Sequence, residues 1–202
     1  MALDIRTVVG GPLEVNTYVV GFEGNDHCVV IDPGAQDILV SDAVGQRTVD
    51  AVLLTHGHFD HILYAQHWLE RGAKLYVHEA DASMIRQPHL NLAVFVLHQG
   101  LRLPEADVQL RDGDLVCEAG LELKVLHTPG HTEGSVCYQM EDVLFSGDTL
   151  FYKSYGRTDL PGGDENAIAE SLSGLMKLEP ETMVYPGHGM KTKIAWERGN
   201  FA

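Results

Sequence analysis

The residues of this chain best suited to chemistry lie in one short run, Thr55-His56-Gly57-His58-Phe59-Asp60-His61. Three imidazoles and one carboxylate, all of them ligand types for transition metals, fall within six positions of that run. An unpaired buried Asp60 would be costly, and three imidazoles would crowd one another without a cation between them. Asp60 and His61 point in other directions from the pair His56 and His58. The run therefore predicts metal binding, with two cations sharing one turn.

The elements on either side predict how this run is positioned. The apolar residues 51–54 before it favour a buried strand, and after it Ile62, Ala65 and Leu69 recur at helical spacing, which predicts a helix that ends near Gly72. The metal-binding residues then lie in a strand-to-helix turn, where side chains converge. Gly57 lets the backbone bend inside that turn.

Three further segments repeat the same context, an apolar run followed by a glycine-containing turn: residues 128–132, 146–149 and 185–189. They contribute His131, Asp148 and His188. One such turn alone is commonplace, but the set brings five imidazoles and two carboxylates to one edge of the predicted sheets. Nitrogen and oxygen ligands without thiolate suit zinc, iron or manganese.

Asp32 ends another predicted strand, in the turn Asp32-Pro33-Gly34. Two interpretations are equally open for it. Its carboxylate either caps the turn or steadies the metal-bearing loop from behind.

The rest of the chain predicts an α/β protein made of two similar halves. The first half has strands within residues 1–33, at 51–54 and at 74–77, with a helix at 37–46. The second has strands at 108–110, 121–126, 135–138, 143–145 and 183–185, and a helix for which Asp164 is the N-cap. The apolar segment 90–98 is either core, which we favour, or a lid. We expect one domain over residues 1–202, with two sheets face to face and helices on both outer faces.

Composition and charge narrow the function. The formal net charge of −15 argues against binding nucleic acid or an anionic membrane surface. No apolar run approaches the length of about 18–20 residues that a membrane span needs, and the first residues do not resemble a signal peptide. The three cysteines show no close pairing, which favours buried, reduced thiols. We expect a cytoplasmic protein that acts on a small molecule; nothing in the sequence indicates its oligomeric state.

With these motifs the chain resembles the metallo-β-lactamase-fold hydrolases over nearly its whole length. The family motif stands here as His56-x-His58-x-Asp60-His61, followed in the family's order by His131, Asp148 and His188. The resemblance implies an αββα sandwich of two mixed β-sheets with a dinuclear site. One cation would be held by His56, His58 and His131, the other by Asp60, His61 and His188, and Asp148 would bridge them.

Within that superfamily, residues 16–18, 30–34, 128–135 and 146–151 resemble the glyoxalase II-like enzymes, or hydroxyacylglutathione hydrolases. Residues 156–163 are similar to the short, single-domain bacterial branch. The longer enzymes carry a C-terminal helical domain that helps to hold glutathione, whereas only about a dozen residues of this sequence follow His188. The resemblance implies two divalent cations, zinc first with iron or manganese as alternatives, and a thioester substrate such as S-lactoylglutathione.

The ligand set suits thioester hydrolysis. Two cations would generate hydroxide from a bridging water at neutral pH, and Asp60 would help to orient that nucleophile. A thiolate leaves without an acid, because a thiol pKa is about 8.5. Candidate substrate contacts are Lys153, Tyr155, Arg157 and Lys191, with Lys193 a further cation for glutathione carboxylates; solvated surface charge is an equally good interpretation of each cation.

Three alternatives stay open. A persulfide dioxygenase of the same fold would bind one iron through His56, His131 and Asp148. A lactonase would need an acid for its alkoxide leaving group, for which Tyr152 or Tyr155 is near enough in sequence. A non-catalytic binding protein is disfavoured, because such a protein is expected to have lost ligands.

Overall fold

The computed structural model describes residues 1–98 and 100–201. Its core is a pair of mixed six-stranded β-sheets, each ordered as the chain runs. The first sheet contains β1 (Leu3–Gly10), β2 (Val15–Phe22), β3 (His27–Ile31), β4 (Thr48–Leu53), β5 (Lys74–His78) and β6 (Val108–Leu110). The second contains β7 (Leu115–Glu118), β8 (Leu121–His127), β9 (Val136–Met140), β10 (Val143–Gly147), β11 (Met183–Pro186) and β12 (Thr192–Lys193).

Six α-helices are present in the described residues: α1 (Asp37–Val44), α2 (Phe59–Ile62), α3 (Ala65–Leu69), α4 (Ala93–Val96), α5 (Glu165–Leu175) and α6 (Ile194–Phe201). As predicted, Asp164 caps α5, since its carboxylate accepts the backbone N–H groups of Asn166 and Ala167. None of the helices in residues 1–98 and 100–201 has the length and apolar composition needed to cross a membrane.

Three apolar clusters define the layers. The central cluster joins the facing sides of the two sheets, with Ile31 and Leu53 from the first and Leu123 and Phe145 from the second. A second cluster packs α1 and α3 against the outer face of the first sheet, and a third packs α5 and α6 against the outer face of the second. In β8 alternate side chains are buried, which is the period of a strand covered on one side. The predicted αββα sandwich is confirmed.

One local prediction was wrong, and another held only in part. The helix expected from Ile62 to Gly72 is two short helices, α2 and α3, and α2 begins early enough to contain Asp60 and His61. The segment 90–98 is core only in part, because Ala93 is buried while Phe95 is 63% exposed. β7, β12 and α6 were not predicted.

The fold brings four turns to one edge of the sandwich. Each turn follows the carboxyl end of a strand, respectively β4, β8, β10 and β11. Backbone hydrogen bonds connect the two sheets at this edge: Val136 N–H donates to the Thr55 carbonyl at 2.8 Å, and Asn16 N–H to the Gly187 carbonyl at 2.7 Å. The turns that carry the predicted ligands are therefore held together by backbone as well as by packing.

Candidate metal centre

The structure brings all seven predicted metal ligands into one cluster. Five of them are buried, and Asp148 and His188 are partly exposed. Potential ligand atoms lie within 4.8 Å of one another in three groups: His56, His58 and His131; His56, His61 and Asp148; Asp60, His61 and His188. The first and third groups are the two triads that the resemblance implied.

The first triad, which we call the neutral half, consists of His56, His58 and His131. His58 Nδ1 lies 2.9 Å from His131 Nε2, and the His56 ring centre is 4.8 Å from each of the other two ring centres. His131 Nδ1 is 2.7 Å from the Arg157 carbonyl. A carbonyl only accepts, so Nδ1 donates and the lone pair of Nε2 faces the cluster.

Burial and neighbouring imidazoles hold His56 and His58 of this half uncharged. Burial lowers the pKa of His56 far below its usual value, and His61 and His131 lower it further. Burial, followed by His131, lowers the pKa of His58 to about 3. Neutral imidazole is the form that binds metal.

The second triad, which we call the acidic half, consists of Asp60, His61 and His188. His188 Nε2 lies 3.2 Å from Asp60 Oδ2 and 3.3 Å from His61 Nε2. Asp148 lies between the halves, with Oδ1 3.3 Å from His61 Nε2 and Oδ2 3.5 Å from His131 Nε2.

Carboxylates reverse the electrostatics of the acidic half. Burial alone would lower the pKa of His61, but Asp148, Asp60 and Asp32 outweigh it and raise that pKa well above its usual value. The pKa of His188 is also raised, because Asp60 and Asp148 outweigh its burial. The pKa of Asp60 is lowered, because His61 and His188 outweigh the opposing effect of burial.

The cluster fits a pair of divalent cations on two counts. Two nitrogen ligands about 2.0–2.1 Å from a tetrahedral zinc ion lie about 3.3 Å apart, and the side-chain separations given above are 2.9–3.5 Å. His56 Nε2 is buried and has no hydrogen-bond partner among the described residues. Buried polar atoms without partners are costly unless a ligand occupies the space before them.

Asp32 supports the acidic half, in the manner that one of the two sequence interpretations proposed. It is buried, and its carboxylate accepts the N–H of Thr55 at 2.8 Å and the Thr55 hydroxyl at 2.7 Å. Its Oδ2 also lies 2.9 Å from His61 Nδ1. That contact orients the imidazole and turns its Nε2 toward the cluster.

A second buried carboxylate, Asp81, was missed by the sequence analysis. It accepts the N–H of Gly57 at 2.9 Å, the Thr132 hydroxyl at 2.8 Å and the N–H of Gly134 at 2.8 Å. These donors flank His56, His58 and His131, so Asp81 connects the two turns of the neutral half. A carboxylate just beyond the end of β5 was the available signal, the same signal that singled out Asp32. His78, the last residue of β5, stacks on His127, with ring centres 4.1 Å apart.

The backbone at Gly187, the residue before the predicted ligand His188, packs closely against the cluster. A Cβ at this position would collide with Asp148 Oδ1 and lie 2.7 Å from His61 Cε1. The backbone of the His188 turn can therefore approach Asp148 and His61 only without a side chain at position 187.

A cavity of about 500 Å³ opens over the cluster and is lined by His58, Asp60, His131, Asp148 and His188. Of the four predicted substrate contacts, only Arg157 lines it. The ammonium of Lys191 lies over the Tyr185 ring, that of Lys153 over the Tyr152 ring, and the Tyr155 ring packs near Phe201. Tyr152, the other acid considered for a lactonase, does not line it either.

Residues 10–188 match the model of the metallo-beta-lactamase superfamily. With this fold and this set of metal-binding side chains, the chain belongs to that superfamily. It is 38% identical over 205 residues to an uncharacterized protein of Mycobacterium tuberculosis, covering 93% of this chain and 92% of the relative. A probable metallo-hydrolase of Bacillus subtilis is 33% identical over 200 residues, covering 96% of this chain and 93% of the relative. A hydroxyacylglutathione hydrolase of Aeromonas salmonicida is 33% identical over 186 residues, covering 90% of this chain and 65% of the relative.

Solved structures show the same likeness. The BLEG-1 B3 metallo-beta-lactamase superposes with a TM-score of 0.92 at 33% identity, covering 98% of both chains. TTHA1623 in a di-iron-bound form superposes with a TM-score of 0.80 at 35% identity, covering 96% of this chain and 98% of the other. ETHE1 from Myxococcus xanthus superposes with a TM-score of 0.80 at 32% identity, covering 98% of this chain and 82% of the other.

Proposed function

We propose that this chain is a dinuclear metal-dependent hydrolase that cleaves a thioester, with S-lactoylglutathione as the first substrate to test. The observation that carries the proposal is the pair of adjoining triads at the floor of one cavity, with Asp148 between them. His56, His58 and His131 would hold one cation, and Asp60, His61 and His188 the other, with Asp148 shared. Zinc is the first expectation, and iron or manganese the alternatives.

Two divalent cations held here would supply Lewis-acid chemistry, which lowers the pKa of water toward about 7 and offsets charge that develops on a carbonyl oxygen. The side chains supply the rest. Asp60 is ionised at neutral pH, because its pKa is lowered, so its carboxylate can accept a hydrogen bond from the attacking water and orient it. The water releases one proton to solvent as its oxygen bonds to the carbonyl carbon, and the carbon–sulfur bond breaks. The other water proton stays on the carboxylic acid product until that acid ionises.

The leaving group explains why the cavity needs no separate acid. A thiolate departs with the electron pair of the broken bond and takes up its own proton from solvent, since a thiol pKa is about 8.5. Nearly every titratable side chain on the cavity floor is then free to serve as a ligand. An alkoxide leaving group would need a donor, and Tyr152 and Tyr155 lie outside the cavity lining.

The comparisons support the proposal at the level of class. One relative bears the name hydroxyacylglutathione hydrolase, and another the name probable metallo-hydrolase. A similar structure binds two irons, which favours two ions per chain and keeps iron among the candidates.

The test is hydrolysis of S-lactoylglutathione by metal-loaded protein, with metal content measured on the same sample. We expect two ions per chain and thiol release that a chelator abolishes and added metal restores. His27→Ala is a suitable control, because His27 lies on the surface beside Asp50, away from the cluster. Thiol release that persists at full rate after complete metal removal would refute the proposal.

A persulfide dioxygenase is the second candidate, favoured by the likeness to ETHE1 from Myxococcus xanthus. It would use one iron at His56, His131 and Asp148. A single iron per chain, with oxygen uptake on glutathione persulfide and no thioester cleavage, would replace the hydrolase proposal with this one.

A further inference from the structure

Apart from the metal-binding side chains, the cavity over the cluster is almost entirely apolar. Its other lining residues are Gly156, Arg157 and seven large apolar side chains: Leu13, Phe59, Leu92, Phe95, Val96, Phe151 and Leu160. The Phe151 ring meets the His188 ring edge to face, with centres 6.1 Å apart. The apolar wall therefore begins at the proposed ligands themselves.

Part of this wall is exposed in a way that needs an explanation. Leu13 is 51% exposed, Phe95 63% and Val96 45%. Leu13 lies in the turn between β1 and β2, and the other two lie on α4, so separate parts of the chain place apolar groups around one opening. Clustered apolar exposure beside a cavity marks a binding site more often than chance.

The basic side chains near the cavity already contact other groups of the protein. Arg157, the only lysine or arginine of the described residues that lines it, donates two hydrogen bonds to the Asp159 carboxylate, at 2.6 and 2.7 Å. Lys193 lies 2.7 Å from Glu181, and Lys153 and Lys191 rest on aromatic rings. The formal net charge is −15, and no lysine or arginine of residues 1–98 and 100–201 stands free at this cavity to recognise an anionic group.

We propose that the cavity holds an apolar acyl group, so that the substrate is the thioester of a medium-chain carboxylic acid. This inference rests on the proposed thioester hydrolysis and names its acyl half. A lactoyl group, with one methyl and one hydroxyl, would leave most of the apolar wall in contact with water. A longer acyl chain covers Phe95, Val96 and Leu13 and holds the carbonyl carbon over the cluster.

The experiment is a series of glutathione thioesters that differ only in the acyl group: lactoyl, acetyl, butanoyl, hexanoyl and octanoyl. We expect kcat/KM to rise by about fourfold for each methylene that enters the cavity. Lactoyl should fall near acetyl. A kcat/KM that is highest for lactoyl, or flat across the series, would overturn the inference and leave thioester hydrolysis itself in place.

Two variants locate the acyl chain. Phe95→Ser should lower kcat/KM for the octanoyl thioester by about tenfold more than for the acetyl thioester, and Leu13→Ser, on a different turn, should act in the same sense. Ile38→Ser is the matched control, since Ile38 is 69% exposed on α1, outside the cavity lining. Equal effects of Phe95→Ser on both thioesters would contradict the assignment.

A binding measurement keeps the inference testable if no thioester is hydrolysed, an outcome that would refute the proposed function alone. Calorimetric titration should show octanoate binding at least about tenfold more tightly than acetate, with the difference reduced in Phe95→Ser. Equal affinities would overturn the inference. So would an effect of Phe95→Ser confined to the oligomeric state in sedimentation, because the apolar rim would then be a contact between copies of the chain.

Discussion

The two halves of the metal centre share one cavity but differ in charge. The neutral half has three imidazoles, and burial lowers the pKa of His56 and His58 so that their lone pairs are free. In the acidic half, carboxylates raise the pKa of His61 and His188. A cation that enters the neutral half meets ready ligands, whereas one that enters the acidic half must displace protons.

Each half also has its own buried carboxylate behind it. Asp81 accepts hydrogen bonds from both turns of the neutral half, at Gly57 and Gly134. Asp32 contacts an imidazole of the acidic half directly, at His61 Nδ1. The neutral half is thus held through its backbone and the acidic half through a ligand side chain. Asp148 alone lies between the two halves. Substitutions of Asp148, of single ligands and of the two supporting carboxylates should therefore have different effects on the two halves.

The largest effect is expected for Asp148→Ala. This change removes the shared carboxylate, so both halves should lose their ion and kcat should fall by at least about 10²–10³-fold. Metal content of the purified variant, measured beside the unchanged chain, checks the prediction. Retention of two ions would show that Asp148 does not join the halves.

Single-ligand variants should separate the halves. His58→Ala should leave one ion, in the acidic half, and His188→Ala one ion, in the neutral half, each with a loss of about 10²-fold or more in activity. Cobalt substitution reports the ligand environment of the remaining ion by its absorption spectrum. Identical spectra from the two variants would break the distinction between the halves.

The supporting carboxylates should have smaller effects. In Asp81→Asn an amide donor replaces one of two oxygens toward which three donors point, so a backbone N–H or the Thr132 hydroxyl loses its acceptor. We expect a loss of about 10–100-fold in metal affinity, first in the neutral half, and for Asp32→Asn a similar loss in the acidic half. Asp107→Asn is the control, because Asp107 accepts the N–H of Leu75 away from the cluster. If both variants lowered metal affinity in the same half, the assignment of Asp81 to the neutral half and Asp32 to the acidic half would be wrong.

The contrast between Asp32 and Asp81 also shows how far the sequence could predict the site. The strands and the outer helices follow from apolar periodicity, and the ligands from histidine and aspartate at strand ends before glycine turns. Asp32 was accessible because it ends a strand in the turn before Gly34. Asp81 also follows a strand, but it lies three positions after the end of β5 and no glycine turn comes after it. The contacts of both carboxylates are distant in sequence, as those of Asp81 with Gly57 and Gly134 at 24 and 53 positions show, and no local pattern encodes them.

Two further features were hidden for similar reasons. The spacing of Ile62, Ala65 and Leu69 is the same for one helix as for two short helices on one face. The apolar pattern of the sequence therefore does not reveal the break between α2 and α3. Long basic side chains are placed by whatever partner lies within reach. Lys191 therefore rests over Tyr185 instead of lining the cavity, although it follows His188 closely in sequence.

The smallest effect, and the most direct test of the charge difference, is the pH dependence of metal retention. The raised pKa of His61 and His188 means that these ligands already take up protons at pH values above 6.5, the usual histidine value. Each proton that competes with the ion weakens binding by about tenfold per pH unit. The pKa of His58 is about 3, so the neutral half faces no such competition from His58 until much lower pH. During dialysis through a pH series, one ion should therefore leave before the other, and the ion in His188→Ala should persist to lower pH than the ion in His58→Ala. The opposite order would mean that the carboxylates around His61 do not govern its protonation once a metal competes for it.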